Sequence, residues 1–473
     1  MKHIIRYGTP GDHNDLIGLS DTYDMIVINA NSVTNSENAV ANFLVRNICV
    51  KENKSYYIDP ITYAFQDHLE LLHSKIKNVN KGQSFIDKTE RLKQPIKPTF
   101  DKLINIYGEA LVGIRKNIPL QPDAFLNKIS ESVLVDFCTN IINFQKNAVK
   151  NAAEKNGILK YLEYDKVNVD KGIQPKFAIA PYFYMDINQY REWIFVNVKL
   201  YEICQRINDK SIEIRMEIFI GKDILHDRDA LTMLANRYLG TGCKGYILWV
   251  EDFEETLASQ DEIENLLFFL EFFQGKSMYN AYGGFFSILL GHDAIKLLDG
   301  VSHGLEYGEN RGGFPVGGGL PSSKYYFFPL HRRLNYLESF ELLEKRNYIN
   351  TNVYLWGRSK PYLSEICRCK ICKELMPEYM SGFENFRSTG MYEVHYSGHT
   401  QRRTKATKSE KMTCRYHYMY CKKVEFKYVQ RRKLDVILQD LTESEKKYRE
   451  LMPLKEKIGT IVSWVDALKH MGE

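Results

Sequence analysis

Five of the nine cysteines in this 473-residue chain lie after residue 366, and three of them, Cys367, Cys369 and Cys372, form C-x-C-x-x-C. Twenty-two residues separate Cys372 from His395. Three thiolates and one imidazole make the tetrahedral donor set that Zn²⁺ prefers, and a site with four protein ligands and no open position is structural. Such an ion folds a segment too polar to build its own core. His399 competes with His395 as fourth ligand. Cys414 and Cys421 are expected to be plain thiols, the alternative being a second, partial site. Cysteines this sparse do not build a disulfide scaffold.

The stretch that follows carries a different chemistry. Residues 401–433 hold twelve Lys/Arg against two Glu, with five aromatic residues interleaved. Such density is the electrostatic footprint of a nucleic-acid surface. Arg402, Arg403, Lys422 and Lys423 are the expected phosphate contacts, which supply affinity and salt dependence but little sequence reading. The competing reading is a solvated charged face.

These groups need a scaffold. Short β-type runs begin at Met25, Ser55, Lys176, Ile212, Gly245, Met278, Gly300 and Lys324, with helical stretches between most of them. Strands alternating with helices argue for parallel βα units, and eight units close a (β/α)₈ TIM barrel. An open doubly wound sheet is the alternative. Residues of about 66–172 look helical and form an insertion after the second strand of this count. The expected organisation is a barrel over 1–330, a zinc-binding subdomain over 331–400, and a basic segment with a closing amphipathic helix over 401–473.

Barrel chemistry sits at the C-terminal ends of the strands. That rule selects Asp59 after the second strand, Asp186 after the third and Glu306 after the seventh, with Glu251, Asp252 and Glu309 in reserve. Gly283 and Gly284 end the sixth strand, where backbone can approach a ligand closely. His303 and Arg311 flank Glu306 and are placed to contact a phosphate or sugar. For Asp59 and Asp186 a turn or helix N-cap is the competing role.

Composition excludes other classes. Hydrophobic residues make up 44% and charged residues 26%, which rules out a mainly disordered chain. There is no run of 18 apolar residues, so no membrane span is expected. The N-terminus turns polar too early for a secretory signal. A cytoplasmic location is expected. There is no P-loop or dinucleotide fingerprint.

C-x-C-x-x-C followed by His after an eight-unit barrel resembles the base-exchanging transglycosylases, the tRNA-guanine transglycosylases and their DNA-acting relatives, the Dpd-type 7-deazaguanine transglycosylases. The short 22-residue gap is more similar to the DNA-acting group. WVEDF after the fifth strand replaces a glycine-rich stretch of the bacterial tRNA enzymes, which also favours DNA over tRNA. The resemblance implies exchange of guanine in DNA for a 7-deazaguanine such as 7-cyano-7-deazaguanine. It implies Asp59 as acid/base toward the exchanged base and Asp186 as a grip on the heterocycle edge. The nucleophile would be an acid after the seventh strand, and Glu306 lies one place beyond the expected position. A partner protein of a DNA-modification system is a further expectation. The alternatives are a divergent tRNA-guanine transglycosylase and a non-catalytic zinc-containing nucleic-acid-binding barrel.

Overall fold

The computed structural model describes residues 1–74, 88–162, 173–305, 308–313, 324–349, 357–396, 399–451 and 455–470. Eight parallel strands form one sheet: β1 (Lys2–Tyr7), β2 (Met25–Asn29), β3 (Ser55–Asp59), β4 (Ala178–Ile179), β5 (Ile214–Ile220), β6 (Gly245–Val250), β7 (Ser277–Asn280) and β8 (Gly300–Gly304). Their order is β3-β2-β1-β8-β7-β6-β5-β4. The two ends of that order approach each other, with Lys176 N donating to Tyr56 O at 2.7 Å. The result is a nearly closed α/β barrel.

One strand corrects the sequence expectation. The barrel's missing member is the N-terminal KHIIRY, not KYYFF. β1 lies between β2 and β8, with Ile4 opposite both Met25 and Ser302. Lys324–Phe327 is instead β9, which pairs antiparallel with β10 (Arg332–Asn335) outside the barrel. KHIIRY has only two aliphatic residues, too few to stand out from one window. Its neighbours on both sides bury it, and Ile4 and Ile5 are fully buried.

Helices cover the outside of the sheet. Tyr190–Ile207, Arg228–Gly240 and Gln260–Glu271 are amphipathic, and the last opens on a capping box of Ser259 and Glu262. The segment between β3 and β4 is helical where described, its main element being Glu131–Lys155. At the C-terminal end of the strands aromatic rings fill the lumen. Phe219 and Trp249 stack at 3.9 Å, and Tyr63 meets both edge-on at 5.0 and 5.2 Å.

After β10 come the hairpin of β11 (Gly390–Tyr396) and β12 (His399–Lys405) and the helix Lys408–Arg431. Thr407 and Glu410 form that helix's capping box. Leu434–Arg449 and Lys455–His470 follow, and Trp464 of the latter stacks on Phe286 at 4.8 Å. Among the described residues no helix is long and apolar enough to cross a membrane.

Candidate metal centre and barrel mouth

Cys369 caps the helix Lys370–Leu375, its sulfur accepting from Cys372 N at 3.4 Å, while Cys367 Sγ accepts from Cys369 N at 3.5 Å. These backbone bonds turn the thiols to one side. The Lys408–Arg431 helix faces them with His417 and Cys421, one turn apart. The ligand atoms of Cys367, Cys369, His417 and Cys421 all lie within 4.8 Å of one another, and all four residues are buried. This group can hold a metal ion. His417 Nε2 is 2.9 Å from Tyr326 O, so it carries a proton there and turns Nδ1 toward the sulfurs, where a bound ion would take its lone pair. Cys369 Sγ lies 3.2 Å from Nδ1, and hydrogen bonds from Cys367, Cys372 and Cys421 hold the Cys369 thiol well below its usual pKa.

Cys372 sits beside the group, its sulfur 3.4 Å from His417 Nδ1 and 3.2 Å from the Tyr362 hydroxyl. The sequence expectation took its imidazole from His395. That residue's backbone pairs with Thr400 in the β11–β12 hairpin, and its side chain lies outside the described residues. His399 is exposed on β12. Cys421, expected to be a plain thiol, has its sulfur 3.6 Å from that of Cys367 and belongs to the cluster. The missed signal was H-x-x-x-C within a helical stretch, hidden by the charge density around it.

The barrel mouth collects a second buried polar group. Asp59 ends β3 and is 1% exposed. Its Oδ2 accepts from Arg6 at 2.9 Å, and its Oδ1 from Tyr182 OH at 2.8 Å and Ile61 N at 2.9 Å. Arg6 also donates to Asn29 Oδ1 and lies over the Tyr282 ring at 4.4 Å. Glu217, from β5, is 2% exposed in the same interior. Arg6, Tyr182 and Glu217 were not singled out from sequence, because nothing local marks them as neighbours.

The other expected residues divide. Glu306 lies outside the described residues. Asp186 Oδ1 accepts from Asn188 N at 2.6 Å and Gln189 N at 3.1 Å, the turn role that leads into Tyr190–Ile207. Gly283 and Gly284 follow β7, and a Cβ on Gly284 would meet Glu255 and Glu309 oxygens at 2.9 and 3.0 Å. Glu255, not foreseen, accepts from Gly284 N and Phe286 N at 2.8 and 2.9 Å and so caps the start of the short helix Phe285–Leu290. Arg311 crosses the mouth: its carbonyl accepts from Trp249 Nε1 at 3.1 Å and its side chain bonds Tyr282. Of the reserve acids, Glu251 accepts from Gly313 N at 2.9 Å.

Two expectations need correction. His303 does not face the lumen. Side chains alternate along a strand, and Gly304 pairs with Arg6, whose side chain is inside, so His303 points outward. There it is fully buried, its Nε2 2.7 Å from that of His3 and its ring against Tyr418. With both rings neutral, His3 Nδ1–H donates to Thr22 O, and His3 Nε2 accepts from His303. Lys422 is no free phosphate contact. It is fully buried, with its ammonium 2.9 Å from both Glu309 and Glu425. Lys423 pairs with Asp21 at 2.6 Å, whereas Arg402 and Arg403 are exposed on β12, Arg402 with Glu393 at 3.1 Å.

Fold and site together define a nearly closed α/β barrel with a buried three-cysteine, one-histidine cluster after it. Comparison with protein-family models and with curated proteins returned no match for this chain.

Proposed function

We propose that the protein is a base-exchanging transglycosylase that replaces guanine in DNA with a 7-deazaguanine, and that the Cys–His cluster holds a structural Zn²⁺. The observation that supports this best is the placement of Asp59: a carboxylate at the C-terminal end of a barrel strand, inside the lumen, in a chain whose cysteine cluster lies C-terminal to the barrel. Zinc would tie the C-x-C-x-x-C loop to the Lys408–Arg431 helix and so fix that helix against β9 and the barrel. It takes no part in the reaction.

The target nucleotide is flipped into the mouth, since a base inside a duplex cannot be reached. Glu306 attacks the anomeric carbon, and the glycosidic bond to guanine breaks as the purine nitrogen takes a proton from Asp59. The incoming 7-deazaguanine returns a proton to Asp59 and displaces Glu306. Covalent catalysis divides one hard displacement into two easier ones. The exposed β12 arginines supply phosphate contacts. The test is mass spectrometry of nucleosides from DNA and, separately, from tRNA after incubation with the protein and 7-cyano-7-deazaguanine. Incorporation into DNA alone supports the proposal, incorporation into tRNA alone supports the tRNA-acting alternative, and incorporation into neither removes the enzyme.

A specific observation favours a second reading, a non-catalytic nucleic-acid-binding barrel. Asp59 is closed over by Arg6, and Asp186 spends an oxygen on a turn. Retained DNA binding without exchange would select it.

A further inference from the structure

Glu217 lies mid-strand in β5, on the face that carries Phe219 into the lumen. Five ionisable groups face it: Arg6 from β1, Tyr57 and Asp59 from β3, Tyr182 from the segment after β4, and Tyr238 from the Arg228–Gly240 helix. The Tyr182 hydroxyl reaches both carboxylates, yet it has one proton, which it gives to Asp59 Oδ1. Arg6 supplies one positive charge against two acids, and its guanidinium is committed to Asp59. A second ionised carboxylate in this enclosure would lack a counter-charge, which is strongly unfavourable. Glu217 Oε1, Tyr57 OH and Ser302 Oγ, all at inward positions, are buried without a hydrogen-bond partner, so no donor meets a charge on that Glu217 oxygen. Burial and Asp59 both push the Glu217 carboxyl well above the usual range.

We infer that Glu217 is held as a neutral acid and is the proton reservoir for Asp59, the two connected through the Tyr182 hydroxyl. The use made of the proton rests on the transglycosylase reading. Asp59 rests as the carboxylate paired with Arg6, so as guanine leaves the Glu217 proton moves to Tyr182, the Tyr182 proton moves to Asp59, and Asp59 passes it to the purine nitrogen; both carboxylates then face Arg6 until the incoming base returns the proton. The proton released by the incoming 7-deazaguanine retraces the path, and the exchange closes with no net proton gained or lost. Glu217 is thus a positioning residue that acts through Asp59.

Infrared spectroscopy of the full chain at neutral pH reads the proton directly. The carbonyl band of a buried neutral carboxyl group is expected in the wild type and lost in Glu217→Gln, which matches a neutral acid in shape. It is also expected to be lost in Asp59→Asn, because Glu217 then ionises to balance Arg6. A wild type without the band, or a band that survives Asp59→Asn, overturns the inference. In the exchange assay Glu217→Gln and Tyr182→Phe should each lower kcat by roughly 10-fold or more and shift its pH profile, with KM for 7-cyano-7-deazaguanine unchanged. Unchanged kcat and pH profile in both variants overturn the relay. A wild type with no exchange activity removes the transglycosylase reading, while the infrared bands still decide where the proton sits.

Discussion

The cysteine–histidine cluster and the barrel lumen both bury ionisable side chains, but the chain assembles them differently. The cluster takes Cys367 and Cys369 from one short loop, and His417 and Cys421 from one turn of a helix. The lumen takes Arg6, Asp59, Tyr182 and Glu217 from four separate strands or strand ends. Local spacing therefore carries information about the first and almost none about the second. The electrostatics also differ. Four soft donors converge where a cation can balance them, whereas the lumen already holds its cation in Arg6 and must accommodate an extra acid.

The sharpest way to break the comparison is to remove a donor. Cys369→Ser should abolish binding of about one metal ion per chain and loosen residues 357–431, measured by elemental analysis and limited proteolysis. If a metal-free protein is as resistant to proteolysis as the wild type, the cluster is not a folding element. Lys422→Met probes the seam between the two regions. It leaves Glu425 fully buried and Glu309 half-buried without the Lys422 ammonium, and a loss of about 3–5 kcal/mol is expected by chemical denaturation. A loss below 1 kcal/mol would mean that Lys422 reaches solvent after all.

Acid should affect the outer face of β1 and β8. Burial pushes His3 down to about 4 and His303 well below its usual value. Between pH 6.5 and 4 the unfolded chain binds protons that the folded chain refuses, so stability falls as pH falls through that window. For His3 alone the loss reaches about 3 kcal/mol at pH 4. Thermal denaturation across the series should show a shallower fall for His3→Gln. An equal slope would mean that the ring is not kept neutral.

The smallest effect on stability belongs to the surface. Arg402→Ala with Arg403→Ala should change stability by no more than about 0.5 kcal/mol and lower DNA affinity, with a shallower salt dependence. The contrast with Lys422 is the point: both were members of one basic stretch. If the double variant binds DNA as tightly across a salt series, the β12 charges are only a solvated face.

Much of the architecture was legible. Seven of the strand positions follow from runs such as MIVIN and GYILWV, whose apolar content is continuous because both faces are buried. Asp59 at a strand end was likewise visible from its sequence context. KHIIRY was not, since two aliphatic residues gain their weight only from the strands on either side. His303 was misdirected for a related reason: facing in or out is set by strand register, and a shift of one residue reverses it.

By itself the sequence determined that a cysteine-rich loop with metal-ligand spacing follows an alternating strand–helix scaffold, because C-x-C-x-x-C and apolar runs are local patterns. Tertiary structure alone decided which histidine joins the thiols, that Lys422 is an interior charge in a stretch that looks like a surface, and that Glu217 shares an enclosure with Asp59. The reason is physical. Ligand choice, burial and proton sharing depend on distances of a few ångströms between groups up to hundreds of residues apart, and only folding sets those distances.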